Sequence, residues 1–248
     1  MTLPPPGEAA LMLDLDGTLL DIAPTPDEVR VAPGLVGALS ALRSALGGAL
    51  AIVTGRPIAQ VDGLLPGIAY AVAGEHGGAL RHAPGAGVVR PALPDLPVAW
   101  IVEAARIVDA HPGALLEQKQ RGFVLHYRAD PSLGAALRLA VERLIAPQAD
   151  RFQLMPALMA WEIRPIGADK GVAVHALASE GPFAGRRPIF IGDDVTDEDG
   201  MDAARRLSGV GLRVDEWFGT PGDVRAWLAA SAAALGDGRG WPALPRTP

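Results

Sequence analysis

The stretch Ala10-Leu11-Met12-Leu13-Asp14-Leu15-Asp16-Gly17-Thr18-Leu19 decides how this chain is read. Ala10–Leu15 reads as a short buried strand that stops at Asp14-Leu15-Asp16-Gly17. Carboxylates at i and i+2 of an extended chain point the same way. Where the strand turns, both can address one small site above a sheet. Such a pair suits a divalent cation, or a nucleophile with a proton donor beside it. Asp and Gly are also common in ordinary strand-to-loop turns. The apolar strand before them and Gly-Thr-Leu after them favour the functional reading.

Outward from that strand, Leu35, Leu39, Leu42 and Leu46 recur at helical spacing, and Gly47-Gly48 ends the run. Ala49–Val53 is a second apolar strand, stopped at Thr54-Gly55-Arg56. Pro57 opens a short helix reaching Leu64 or Leu65. Tyr70–Ala73 is a third strand, ending at Gly74-Glu75-His76-Gly77-Gly78. Strand and helix alternating at this spacing predict a parallel sheet with helices on both faces. The rhythm then changes. A Gly- and Pro-rich segment, Ala83–Pro97, leads to a helix near Val98–Ala110, strand-like runs at Ala114–Lys119 and Phe123–Arg128, a helix at Pro131–Ile145, and strand-like runs at Phe152–Met155 and Leu158–Arg164. This reads as an inserted antiparallel domain. After Pro165 the first rhythm returns, with a helix from Asp169, a strand at Pro188–Ile191, a helix from Thr196, a strand at Val210–Val214 and a helix at Asp223–Ala234. The tail Gly236–Pro248 is expected to be loose. The expected division is 1–80 with 167–248 as one domain and 81–166 as the insert.

Composition limits the function. The 248 residues are 49% hydrophobic and 20% charged, so a core can form and disorder is excluded. A net charge of −6 gives no basic stripe, which argues against nucleic acid as a partner. Cysteine is absent, so any metal must use oxygen or imidazole ligands. Met1–Ala10 does not read as a secretory signal, and no charge-free stretch is long enough to span a membrane. A cytoplasmic, monomeric protein is expected. Of 22 basic side chains only Lys119 and Lys170 are lysine. A coding bias explains the scarcity. It also singles out the two survivors, because a compact ammonium and a planar guanidinium are not interchangeable.

Four more groups could carry chemistry. Gly192-Asp193-Asp194-Val195-Thr196-Asp197-Glu198-Asp199 follows an apolar strand. Acids at a helix N-terminus offset its dipole, which accounts for Glu198 and Asp199. It accounts poorly for Asp193, because a carboxylate directly off a buried strand is costly without a cation. Thr54-Gly55-Arg56 offers a hydroxyl and an amide to a phosphate oxygen, though a simple turn would look the same. Lys170 follows a helix cap, the wrong helix end for a cation unless an anion waits there. In the insert, Glu117 with Lys119, His126 with Arg128, and Glu162 with Arg164 share strand faces at i, i+2. Such pairs suit recognition of a polyhydroxyl compound. On spacing alone, cross-strand ion pairs on a solvent-facing sheet account for them better.

Asp14-Leu15-Asp16-Gly17-Thr18-Leu19, Thr54-Gly55-Arg56, Lys170 and Gly192-Asp193-Asp194 resemble, in order, the four motifs of the haloacid dehalogenase-like phosphohydrolase superfamily. With Gly74-Glu75-His76-Gly77, Glu117-Gln118-Lys119, His126-Tyr127-Arg128, Glu162-Ile163-Arg164-Pro165, Asp169-Lys170-Gly171 and Gly192–Glu198, the chain is similar to trehalose-6-phosphate phosphatases. Thr54 stands where many relatives have serine, and Gln118 where Asp or Asn is common; neither removes a needed group. The resemblance implies an α/β fold, a doubly wound, mostly parallel, Rossmann-like core with an inserted α+β cap acting as a lid. It implies that Asp14 is the nucleophile and Asp16 the general acid and base. Mg²⁺ would be held by Asp14, the Asp16 carbonyl and Asp193, with Asp194 and Asp197 supporting those ligands. Thr54 and Lys170 would bind phosphoryl oxygens and Arg56 would line the mouth. Glu117, Lys119 and Glu162 would bind glucose hydroxyls, with His76, Arg128 and Arg164 as further candidates. The substrate would be a small sugar phosphate, with no nucleic acid or membrane partner. A phosphatase or phosphomutase for another sugar phosphate, and a sugar-phosphate-binding regulator without turnover, are the alternatives.

Overall fold

The computed structural model describes residues 2–23, 28–66, 70–119 and 121–246. Its order is β1 (Ala9–Leu13), α1 (Leu35–Ala45), β2 (Leu50–Val53), α2 (Ile58–Leu64), β3 (Ala71–Gly74) and β4 (Ala79–Arg81). Then come α3 (Val98–Asp109), β5 (Leu115–Gln118), β6 (Phe123–His126), α4 (Gly134–Ile145), β7 (Phe152–Ala157) and β8 (Ala160–Pro165). The chain closes with α5 (Lys170–Ala178), β9 (Arg187–Gly192), α6 (Val195–Arg206), β10 (Val210–Arg213), α7 (Val214–Trp217) and α8 (Pro221–Gly236). Two compact units result, Met1–Pro91 with Asp169–Pro248, and Ala92–Ala168.

The first unit is built on a six-stranded sheet in the order β10-β9-β1-β2-β3-β4, parallel except for β4. Every residue of β1 is buried, as the central strand of a sheet covered on both faces must be. From β1 the chain winds outward through β2 and β3, then returns to the other side of β1 for β9 and β10. The β1/β9 border is therefore the switch point. In open parallel sheets, ligand sites form in the crevice at the carboxyl ends of the strands there. Leu39, Leu42, Val174, Leu177, Phe190 and Leu228 belong to the core around this sheet.

In the second unit the sheet runs β5-β6-β8-β7, antiparallel throughout. Trp100 and Ala104 of α3 and Leu137, Val141 and Ile145 of α4 pack on Phe123, Leu125, Phe152 and Ile163. Strand alternation puts Glu117, Val124, His126, Glu162 and Arg164 on the opposite face.

Three expectations change. The first unit reaches Pro91, about ten residues beyond the expected boundary, because β4 returns antiparallel to β3 and Leu80 pairs with Val89. Arg90 also pairs with Glu75, at 2.9 Å. The tail is not loose through Arg246. Trp241 stacks on Trp227 with ring centroids 5.7 Å apart and donates to the Pro4 carbonyl at 2.8 Å. Thr247 and Pro248, the last of the tail, lie outside the described residues. Finally, β6 ends at His126, so Arg128 falls in an exposed turn and not on the strand face with His126.

Candidate active site

Pairing of Leu13 with Ile191 sets the end of β1 beside the end of β9. The Asp14 amide donates to the Ile191 carbonyl at 2.9 Å, the last rung of that ladder. The chain then turns sharply. The amides of Leu19 and Leu20 return to the Leu15 carbonyl at 2.9 and 2.8 Å. Gly17 has φ +81°, and a Cβ there would collide with the Asp193 carboxylate. Only glycine lets the two acidic loops approach so closely. Gly192 repeats the device on the other side, since a Cβ there would collide with Asp197.

Lys170 is the first residue of α5, whose N-cap Asp169 accepts from the Val172 amide at 2.7 Å. Its Nζ donates to Asp14 Oδ1 and Asp197 Oδ1, both at 2.6 Å, with Asp14 and Lys170 each 3% exposed. The anions predicted from its unfavourable helix position are thus these two carboxylates. Asp197 uses its other oxygen as well: Oδ2 accepts from the amides of Asp193 and Asp194 at 3.2 and 3.1 Å. Asp194 turns outward instead. Its exposed side chain caps α6, in a capping box with Asp197. The structure therefore brings Asp197 into the site and leaves Asp194 at the helix end.

Two residues that sequence reasoning missed hold Asp193. Buried Thr18 donates to Asp193 Oδ1 at 3.2 Å. Arg213, at the end of β10, donates to the Asp193 carbonyl at 3.0 Å and also binds Glu198 and Asp215. The signal for Arg213 was a charge closing an apolar strand of the same sheet.

Carboxylate oxygens of Asp14, Asp193 and Asp197 lie within 4.8 Å of one another. Burial, and then the charge of Asp197, raise the Asp14 pKa well above the usual carboxylate range. The same two causes push Asp193 up to about 6. Burial pulls the Lys170 ammonium down, but Asp14 and Asp197 outweigh it and raise its pKa. Three carboxylates face one ammonium, so the cluster carries surplus negative charge. Hard oxygen donors, close spacing and that surplus fit a divalent cation.

Thr54 is buried at the end of β2, and its Oγ1 accepts from the Arg56 amide at 3.2 Å. Arg56 Nε and Nη2 donate to the two oxygens of Asp16 at 2.6 and 2.7 Å. His76 sits in this unit over the Thr54 loop, its amide donating to the Thr54 carbonyl at 3.0 Å. A Cβ on Gly55 would strike the His76 ring. Glu75 and His76 both have positive φ, 54° and 52°, a strained pair such as clusters at functional loops.

On the polar face of the insert sheet, Lys119 Nζ binds Glu162 at 2.9 Å and His126 Nε2 meets Glu117 at 2.8 Å. Glu162 and Arg164 are buried, whereas Glu117 and His126 are open to solvent. The hydrogen bond to His126 holds the Glu117 pKa below its usual value. His126, which the sequence paired with Arg128, has Glu117 as its partner instead.

Among the described residues, no helix is long and apolar enough to cross a membrane. The solved C-terminal domain of C. albicans trehalose-6-phosphate phosphatase superposes with a TM-score of 0.75 at 20% identity, covering 92% of this chain and 93% of that one. A Bacteroides thetaiotaomicron phosphatase of the haloalkanoate enzyme superfamily superposes at TM-score 0.56 and 14% identity, over 93% of this chain and 96% of that one. The fold is therefore that of the haloacid dehalogenase-like phosphatases. Within that class, the family model for trehalose-phosphatase matches residues 12–221. The trehalose-6-phosphate phosphatase of Escherichia coli K12 is 37% identical over 91% of this chain and 87% of its own length. A probable trehalose-phosphate phosphatase of Sinorhizobium fredii is 40% identical over 83% of this chain and 77% of its own. The chain belongs to the trehalose-phosphatase family, a family of phosphoric monoester hydrolases.

Proposed function

We propose that the protein hydrolyses trehalose 6-phosphate to trehalose and inorganic phosphate. The observation that carries this reading is the convergence of Asp14, Lys170, Asp193 and Asp197 at the carboxyl ends of β1 and β9, from segments that span most of the chain. Asp14 attacks phosphorus, and the bond from phosphorus to the sugar oxygen breaks as Asp16 gives that oxygen a proton. Asp16, now a carboxylate, takes a proton from water as its oxygen attacks the aspartyl phosphate, which releases phosphate and restores Asp14. Lys170 offsets charge on the phosphoryl oxygens, and Thr54 orients them. Asp14 and Asp193, with the Asp16 carbonyl, would hold Mg²⁺, while Asp197, engaged by Lys170 and two amides, fixes the loop. When bound, the ion supplies charge neutralisation to the phosphoryl group.

The insert face supports the substrate choice. Carboxylates of Glu117 and Glu162 accept from sugar hydroxyls and Lys119 donates to them, with Arg164 on the same face. Productive binding would close the insert over the sugar, excluding water from the reacting group. A free sugar phosphate as substrate also fits a cytoplasmic location. The test is phosphate release from a panel of sugar phosphates, with Mg²⁺ or with a chelator. Trehalose 6-phosphate should be hydrolysed fastest and the chelator should abolish turnover. Preference for another sugar would overturn the substrate, and chelator-resistant hydrolysis the cation.

A further inference from the structure

Arg56 was expected to line the mouth and meet substrate. The structure gives its guanidinium another partner. Nε and Nη2 donate to separate oxygens of Asp16 at 2.6 and 2.7 Å, a fork-on-fork contact that fixes the carboxylate plane as well as its position. Asp16 is the more exposed partner, 37% against 14% for Arg56. It lies in the turn beside Gly17, whose φ is +81°. A carboxylate so placed needs an external hold to keep one orientation.

Arg56 is itself well anchored. Its amide donates to Thr54 Oγ1 at 3.2 Å, and its carbonyl accepts from the Glu75 amide at 3.1 Å. The residue is thus pinned between the loops that follow β2 and β3. It carries the rigidity of two buried strands to a side chain on a third loop, 40 positions earlier in the chain. Proton transfer is fast only from a group already within reach and aligned.

We propose that Arg56 is a positioning residue that acts through Asp16, aligning it for proton transfer to the leaving sugar oxygen. The inference rests on the phosphatase reading and deepens it. It assigns Arg56 to the leaving-group side of the reaction, not to the sugar or the transferred phosphoryl group.

Two esters separate these roles. A sugar oxygen must be protonated as it leaves, whereas para-nitrophenolate is a stable anion that departs without a proton. Arg56→Gln should lower kcat/KM on trehalose 6-phosphate by about 10- to 100-fold while changing kcat/KM on para-nitrophenyl phosphate less than about threefold, because kcat/KM covers only the steps up to loss of the leaving group and not the later attack of water, which both esters share. Arg56→Lys, with one ammonium in place of the fork, should fall between Arg56→Gln and the parent. The double variant Arg56→Gln/Asp16→Asn should be no slower on the sugar ester than Asp16→Asn alone. Equal losses on both esters, or additive losses in the double variant, would show that Arg56 serves the phosphoryl group directly and overturn the inference while leaving the phosphatase reading intact. Failure of the parent protein to hydrolyse either ester would overturn that reading, and this inference with it. Thermal melts of each variant separate misfolding from misalignment, and the milder Arg56→Lys keeps the test valid if Arg56→Gln unfolds.

Discussion

The acidic crevice of the first unit and the polar sheet face of the second both place paired charges on strand ends and strand faces, yet they differ in burial. In the crevice, Lys170 joins carboxylates 156 and 27 residues away, with the ammonium and the Asp14 carboxylate almost wholly out of water. On the insert face, His126 and Glu117 lie only nine residues apart and stay open to solvent, and the Lys119 head is about a third exposed beside buried Glu162. Buried ionic groups cannot relax when a partner is lost, so their arrangement is rigid and suited to stabilising one charge distribution. Exposed pairs exchange partners at little cost, as the proposed trade of these contacts for sugar hydroxyls would require. The difference supports the proposed division, with bond-making in the first region and substrate choice in the second.

The strongest way to break that division is Asp14→Asn. It removes the nucleophile but keeps the shape of the side chain, and turnover should fall by at least about 10³-fold on every ester. Circular dichroism should show an unchanged fold. Near-normal phosphate release would remove Asp14 from the chemistry. Glu117→Ala and Lys119→Ala sharpen the other side. Each should lower kcat/KM on trehalose 6-phosphate by about 10- to 100-fold and leave a small generic phosphate ester within about threefold. Parallel losses on both substrates would take the insert face out of recognition.

The two regions also differed in how far their residues could be read in advance. Asp14, Asp16, Asp193 and Lys170 were legible because each follows or precedes a strongly patterned element: an apolar strand that stops at an acid, or a cap that starts a helix. Local spacing even placed Glu162 and Arg164 on one strand face. The Arg56–Asp16 clamp was not legible, since no period links positions in two different loops. Thr18 escaped for the same reason, its partner Asp193 lying 175 positions along the chain, and Arg213 because it reaches the Asp193 carbonyl from the end of a different strand, 20 positions away. Arg128 was placed on a strand by extrapolating alternation past the point where β6 turns at His126. In the fold, β4 is only three residues long and lies in a glycine-rich stretch, where no alternation can build up. The tail looked loose by composition, but Trp241 finds a stacking partner and a carbonyl that composition cannot reveal.

The smallest effect concerns the crevice alone and tests its surplus charge. Asp193 titrates near 6 in the folded protein, above the ordinary aspartate value, because burial and Asp197 disfavour its charged form. The folded state then binds that proton more tightly than the unfolded chain does. Its penalty is absent below about pH 4 and grows as pH rises through about 6. Asp14 is displaced in the same direction. A divalent cation relieves this penalty only once the carboxylates are ionised, so metal and protons compete for them. The rise in Tm caused by saturating Mg²⁺ should therefore be small near about pH 5 and reach roughly 5 °C near about pH 7.5, the scale set by ligand linkage for a chain of this size. Differential scanning fluorimetry with Mg²⁺ and with chelator measures it, and Asp193→Asn should flatten the dependence. A Mg²⁺ shift that is constant across this range would mean that the cation binds elsewhere than at the facing carboxylates of β1 and β9.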